Sequence, residues 1–130
     1  MTHAQLESMA APGALKAGGN DDPAVCEVYQ FGSGGAVILE ERGRVGRISL
    51  YEPGLTTVEG ITVGDQAATV LEVYGDAAQR ESAAYADPPA HDLYVWRSSE
   101  AGLRFEIDQA GIVSAIHGGN QTIRYIEGCQ

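Results

Sequence analysis

The sequence has three histidines, the side chains best suited to acid–base chemistry near neutral pH: His3, His91 and His117. His91 is followed directly by Asp92, and a neighbouring carboxylate can orient an imidazole for proton transfer. Adjacent residues of a strand point to opposite faces, however, and two prolines just before this pair indicate a loop. A single histidine with scattered carboxylates, such as His117 with Asp108, does not make a zinc site. The histidines therefore predict neither a catalytic residue nor a metal site.

Motifs of common enzymes and cofactor sites do not occur in the sequence. It contains neither Gly-x-Ser-x-Gly nor His-Glu-x-x-His, and it lacks a phosphate-binding loop and a Cys-x-x-Cys pair. The glycine clusters at 32–35 and 118–119 fall between predicted strands, where hairpin turns are expected. The acidic pair at 21–22 could hold calcium weakly, yet the other acidic ligands of a calcium loop are missing. We expect no cofactor and no enzymatic activity.

Charge limits the partners that the protein can bind. Eighteen acidic residues against eight Lys and Arg give a formal net charge of −10. Such a chain repels nucleic acid and an anionic membrane surface at long range. No apolar run reaches the roughly 18 to 20 residues that a membrane-spanning helix needs. We expect neither nucleic-acid binding nor a membrane-spanning segment.

The two cysteines, Cys26 and Cys129, bear on the cellular compartment. They are either a disulfide or two unrelated buried thiols. The position of Cys129 near the end of the sequence is unusual for a packing residue and favours the disulfide, which in turn favours an oxidising compartment. The first six residues lack the basic and apolar regions of a signal peptide, which fits a cytosolic protein or a mature exported form. We expect a periplasmic or secreted protein.

Hydrophobic spacing and turn residues predict a helix followed by antiparallel strands, twice over. The first helix is expected near residues 2–10, and the second begins with Asp65 as its N-cap and ends at Gly75. The predicted strands are Val25–Phe31, Ala36–Glu41, Val45–Tyr51, Leu93–Ser98, Leu103–Asp108, Ile112–His117 and Thr122–Glu127.

The two halves of the sequence correspond in the order of their predicted elements. An offset of 67 places Val28 on Val95 and Tyr29 on Trp96. This indicates an internal duplication with repeat 1 at about 1–53 and repeat 2 at about 61–129. The expected fold is a single α+β domain over 1–130, in which two tandem helix-plus-antiparallel-strand repeats share one antiparallel sheet of about seven strands.

A short motif carries a resemblance to known families. The segment Ile61-Thr62-Val63-Gly64-Asp65, followed by Val70 and by Tyr74-Gly75, resembles the helix opening of the SmpA/OmlA outer-membrane lipoproteins. It is also similar to both halves of the β-lactamase inhibitory proteins. The resemblance implies a curved antiparallel sheet with helices on one face. Those inhibitors carry a disulfide within each half and this chain does not, so β-lactamase inhibition is not carried over.

The segment Tyr125-Ile126-Glu127-Gly128-Cys129 resembles the end of uncharacterised exported bacterial proteins. That likeness implies export and a bridge between Cys129 and Cys26. It implies no activity.

Aromatic residues alternate with aliphatic residues on the first strand of each predicted half. If Val28, Leu93 and Val95 pack against the helices, the residues left on the open face are Tyr29, Tyr94, Trp96 and, on the next strand, Arg104. Exposed aromatics with arginine are typical of recognition surfaces. We therefore expect a non-enzymatic module that binds a protein partner through this face. The alternatives are a structural or assembly component of the bacterial cell envelope, a glycan or small-ligand site, or the opposite assignment of the two faces. The sequence does not predict the oligomeric state.

Overall fold

The computed structural model describes residues 15–17, 26–31, 36–41 and 44–125. These residues contain eight strands: β1 (Leu15–Ala17), β2 (Cys26–Phe31), β3 (Ala36–Glu41), β4 (Arg44–Leu50), β5 (Ala78–Ser82), β6 (His91–Ser98), β7 (Ala101–Ile107) and β8 (Val113–Gly119). Within the described ranges, one α-helix, α1 (Ala67–Tyr74), lies between β4 and β5. Two 3-10 turns, Gly75–Ala77 and Gln121–Arg124, follow α1 and β8.

All eight strands belong to one antiparallel sheet in the order β1-β2-β3-β4-β8-β7-β6-β5. The strands β1 to β4 are neighbours in chain order, and so are β5 to β8. The two groups meet where β4 pairs with β8, from Arg47 opposite Gly119 to Leu50 opposite Ile116. This pairing brings side chains of β4 next to those of β8, although about 70 residues separate them in sequence.

The predicted fold class is wrong. The described residues form one eight-stranded sheet with one short helix, rather than two helix-plus-strand repeats that share about seven strands. The helix expected near 2–10 lies outside the described residues. The final predicted strand is also wrong in its described part, where 121–124 form a 3-10 turn. The Asn120 side chain accepts a hydrogen bond from the Thr122 N–H at 2.9 Å, which starts this turn in place of a strand.

Strand β5 (Ala78–Ser82) is an edge strand that the sequence analysis did not predict. Its side chains are mostly exposed and polar, so it has no apolar alternation by which to recognise it. Its backbone nevertheless pairs with β6 over five residues, from Ala78 opposite Val95 to Ser82 opposite His91. Backbone pairing with a buried neighbour is enough to form a strand here.

The helix α1 ends as predicted but starts differently. Gly75 is its C-cap, with φ of 56°, and the Gly75 N–H donates to the Leu71 carbonyl. The N-cap is Gln66, since the Asp65 carboxylate instead accepts the Thr62 N–H at 3.0 Å. The helix buries Val70 against the sheet.

The apolar core lies between α1 and the sheet. Leu93 and Val95 of β6 face α1, as predicted. The cluster is completed by Ile61, Val63, Val70, Phe105, Ile107, Val113 and Ile116. Within the described residues, no helix is long and apolar enough to cross a membrane.

The opposite sheet face is covered by residues 121–125. Ile123 has no exposed surface and Thr122 is 3% exposed, because both lie against β4, β7 and β8. A segment of five residues therefore closes the part of the sheet that was expected to be open.

Truncating Ile123 tests whether this segment is part of the folded structure. We expect Ile123→Ala to lower the free energy of unfolding by about 2–5 kcal/mol, as for other fully buried Ile and Leu side chains. The matched control is Leu71→Ala, which removes a similar side chain from the exposed side of α1 and should change stability by less than about 0.5 kcal/mol. Urea unfolding measures both. Equal effects of the two variants would contradict the assigned role of the segment.

Candidate functional site

A row of charged side chains crosses β6 and β7 on the face opposite α1. The strand register places Asp92 opposite Glu106, and Tyr94 opposite Arg104. The Arg104 Nε donates to Asp92 Oδ2 at 3.0 Å, and both side chains are more than nine-tenths buried. A guanidinium buried in this way needs further acceptors, because the transfer of its charge out of water is unfavourable.

The 121–125 segment supplies those acceptors. Arg104 donates through its NH1 nitrogen to the carbonyls of Ile123 and Tyr125, both at 3.1 Å. Arg47 of β4 donates to the carbonyls of Thr122 at 3.1 Å and Tyr125 at 3.0 Å. Burial lowers the pKa of Arg47, as does the nearby Arg104, yet an arginine remains protonated at neutral pH. Two cationic side chains thus converge on the Tyr125 carbonyl and hold the segment on the sheet.

His117 connects three strands behind this row. Its Nδ1 lies 2.6 Å from the Ser49 hydroxyl, and its Nε2 lies 2.5 Å from Glu106 Oε2. Burial lowers the pKa of His117, so the ring is neutral at pH 7. The hydrogen bond from His117 lowers the pKa of Glu106, which is therefore ionised and accepts. This pattern assigns the ring proton to Nε2 and makes Ser49 the donor to Nδ1.

The Ser49–His117–Glu106 chain has the donor order of a nucleophile, a base and an orienting carboxylate. Ser49 has no exposed surface, however, and does not line the nearby pocket. A nucleophile has to reach its substrate, and this hydroxyl does not. The hydrogen bonds from Ser49 to His117 and from His117 to Glu106 hold the Glu106 carboxylate in place; they do not present a reactive serine.

A pocket of about 470 Å³ opens above the Asp92–Glu106 pair. We call it the acidic pocket. It lies between the β5–β6 connection, the ends of β6 and β7, and the turn before β8, and its lining includes Ala83, Ala84, Tyr85, Ala86, Ala90, Asp92, Arg104, Glu106, Ile107, Asp108, Gln109, Ala110 and Ser114. Its volume lies within the range of about 300–1,000 Å³ that is usual for ligand sites.

The two opposed carboxylates of the pocket differ in their environments. Burial raises the pKa of Asp92, while the Arg104 charge opposes that increase. Glu106 is more accessible, with 37% of its side chain exposed, and the His117 hydrogen bond lowers its pKa. Asp92 is neutralised by Arg104, so Glu106 is the carboxylate that faces the pocket as an exposed anion.

Two of the four predicted contact residues are buried, so the expectation that they lie in solvent is wrong. Tyr94 is 4% exposed and Arg104 is 3% exposed. The Arg124 guanidinium lies over the Tyr94 ring at 4.8 Å from its centroid, and the same arginine pairs with Glu81 of β5. The 121–125 segment therefore covers the surface on which these side chains were expected to be accessible.

Trp96 remains partly exposed beside the covered region. Its ring stacks with that of Tyr94, with centroids 6.3 Å apart, and it lies on Gly102 of β7, where a Cβ would collide with the indole. A glycine opposite the tryptophan is thus required by the close approach of the ring. The contact role of Trp96 stays a prediction.

Tyr29 is not brought together with the other predicted residues. Strand β2 is separated from β6 by β3, β4, β8 and β7, which corresponds to about 24 Å across the sheet. Only the backbone of Tyr29 and Cys26 is described, and Cys129 lies outside the described residues. The Tyr29 contact and the Cys26–Cys129 disulfide stay predictions.

The sequence analysis missed Arg47, Ser49 and Glu106 as members of a buried layer. Arg47 and Ser49 were not singled out, because polar residues that alternate with aliphatic residues usually mark a solvated strand face. Asp92 was considered with His91, and His117 with Asp108, rather than with the residues they contact in the structure. The available signal was that Arg104, Glu106 and His117 fall on two strands of one predicted hairpin.

Comparison of the chain with protein-family models, with curated proteins and with solved structures gave no match. The resemblance to the β-lactamase inhibitory proteins and the SmpA/OmlA lipoproteins stays a prediction. Within the part of the chain that the structure describes, no group of three or more His, Cys, Asp or Glu side chains is arranged to hold a metal ion.

The buried neutral state of His117 predicts a pH dependence of stability. Because its folded pKa lies below the unfolded value of about 6.5, the unfolded chain binds the proton first as the pH falls. Stability from this group is complete above about pH 6.5 and is lost below it, by at most about 1.4 kcal/mol per pH unit.

Replacing the ring isolates this contribution. We expect His117→Gln, whose amide can still donate to Glu106, to lose stability at pH 7 but to show a smaller decrease than the wild type between pH 6.5 and 5. His91→Gln, which keeps His117, should retain the wild-type slope. Urea unfolding at each pH measures the difference. An unchanged slope in His117→Gln would show that another group is responsible.

Proposed function

We propose that the protein is an exported, non-enzymatic binding module that recognises a protein partner through the sheet face opposite α1. The observation that carries this proposal is the incomplete cover of that face. The 121–125 segment covers its middle, while the acidic pocket is open near the Asp92 end of β6 and Trp96 is partly exposed farther along the same strand. The two positions are about 13 Å apart along β6, a span that one protein interface can cover.

The chemistry of these two positions supports recognition. A tryptophan that is held by stacking on Tyr94 loses little conformational freedom on contact, and aromatic residues of this kind dominate binding energies at interfaces. The exposed carboxylate of Glu106 is fixed by His117 before any partner arrives. A surface that is ordered in advance binds with a smaller entropic loss.

Site-specific photo-crosslinking tests the proposal. A benzophenone amino acid at position 96 should label a discrete partner in extracts of the native host envelope, and the same group at position 71 should not, because Leu71 is exposed on the opposite face of the sheet. Trp96→Ala should reduce recovery of the labelled partner at least tenfold, while its thermal unfolding stays cooperative. Labelling from position 71 alone, or from neither position, would contradict the proposal.

A further inference from the structure

We propose that the acidic pocket receives a basic side chain, lysine or arginine, from the protein partner. This inference rests on the proposed function and names the chemistry that the pocket recognises. It follows from three properties of the lining: its hydrogen-bonding groups, its charge and its apolar walls.

Three donor side chains of the lining, Arg104, Ser114 and Gln109, already donate to other groups of the protein. Arg104 donates to Asp92 and to two carbonyls of the 121–125 segment. The Ser114 hydroxyl donates to the Glu106 carbonyl at 3.1 Å, and the Gln109 amide donates to the Asp87 carbonyl at 3.2 Å. What the pocket offers a ligand is mainly acceptors, above all the Glu106 carboxylate. A ligand rich in N–H donors matches this surface.

The charge of the lining has the same preference. The Asp92–Arg104 pair is neutral as a unit, and His117 behind Glu106 is uncharged at pH 7. Outside that pair, the anions of the lining are Glu106 and Asp108, and the Glu106 charge is offset in part by Arg47, which does not line the pocket. The formal net charge of −10 adds a long-range attraction for cations.

The walls of the pocket suit an aliphatic stem. Five alanines and Ile107 line it, and none of these side chains competes for hydrogen bonds. Lysine and arginine bury their methylene groups along apolar surface while the charged end reaches a polar partner. In the described ranges no metal-binding group of three ligands is present, so an organic cation fits the site better than a metal ion.

Titration with small probes tests this inference on the intact protein. We expect Nα-acetyl-lysine amide and Nα-acetyl-arginine amide to shift the backbone NMR signals of Asp92, Glu106 and Ser114. The norleucine analogue, which keeps the stem and lacks the charge, should shift them at least tenfold more weakly at equal concentration. Equal responses to the three probes, or a response to calcium alone, would overturn the inference.

Matched variants identify the carboxylate. Glu106→Gln should raise the dissociation constant for the lysine probe about tenfold or more, as expected for the loss of a charged hydrogen bond. Glu72→Gln makes the same change on the exposed side of α1 and should leave the constant unchanged. Ala110→Lys, on the exposed turn at the rim, should also weaken probe binding by offering its own ammonium group. If neither pocket variant alters probe binding, the inference is wrong.

The two proposals fail separately. Crosslinking from position 96 without binding of the basic probes would contradict the lysine or arginine assignment and leave partner recognition intact. Binding of the probes at Glu106 without crosslinking from position 96 would contradict recognition of a protein through this face and identify a site for small cations.

Discussion

The contact between two buried guanidinium groups and the carbonyls of residues 121–125 determines the other features of this face of the sheet. Arg47 and Arg104 come from strands that are distant in sequence, and both donate to the Tyr125 carbonyl. The two cations are balanced by the carboxylates of Asp92 and Glu106, while His117 stays neutral among them. Without this balance, the burial of two arginines would cost several kcal/mol per charge.

This balance of charges also explains why His117 stays neutral and Asp92 stays ionised in the folded protein. Adding a proton to His117 would place a third positive charge beside Arg47 and Arg104, both of which lower its pKa together with burial. Removing the charge of Asp92 would leave the Arg104 Nε without its ionic partner. The layer is therefore stable in one charge state, and that state leaves Glu106 as an anion at the pocket.

The sequence predicts the strands of this region better than it predicts what covers them. The alternation on β6 identifies Leu93 and Val95 as core residues, and they are buried against α1. The same alternation places Tyr94 and Arg104 on the other face, but the pattern of a strand says nothing about a segment that folds onto it from later in the chain. That segment is short and polar, and only Ile123 in it is a large aliphatic residue with no exposed surface.

Local sequence signals also failed at the start of α1 and at strand β5. Asp65 has the residue type and position of an N-cap, yet its carboxylate accepts the Thr62 N–H, and Gln66 takes the cap position. Strand β5 has no apolar alternation, and its pairing with β6 becomes visible only once β6 is placed. In both cases the outcome depends on contacts that the local sequence pattern does not contain.

The buried polar layer on this face is connected to the acidic pocket, because Asp92, Arg104 and Glu106 belong to both. Arg104 holds the 121–125 segment through its NH1 nitrogen and holds Asp92, a pocket residue, through its Nε. On the other side of the pocket, Ser49 of β4 orients His117 of β8, which orients Glu106 of β7. Asp92 and Glu106 are thus each positioned by a group anchored elsewhere in the sheet. The geometry of the pocket therefore depends on the β4–β8 pairing and on the covering segment, and a change in either would alter the positions of the carboxylates that a ligand meets.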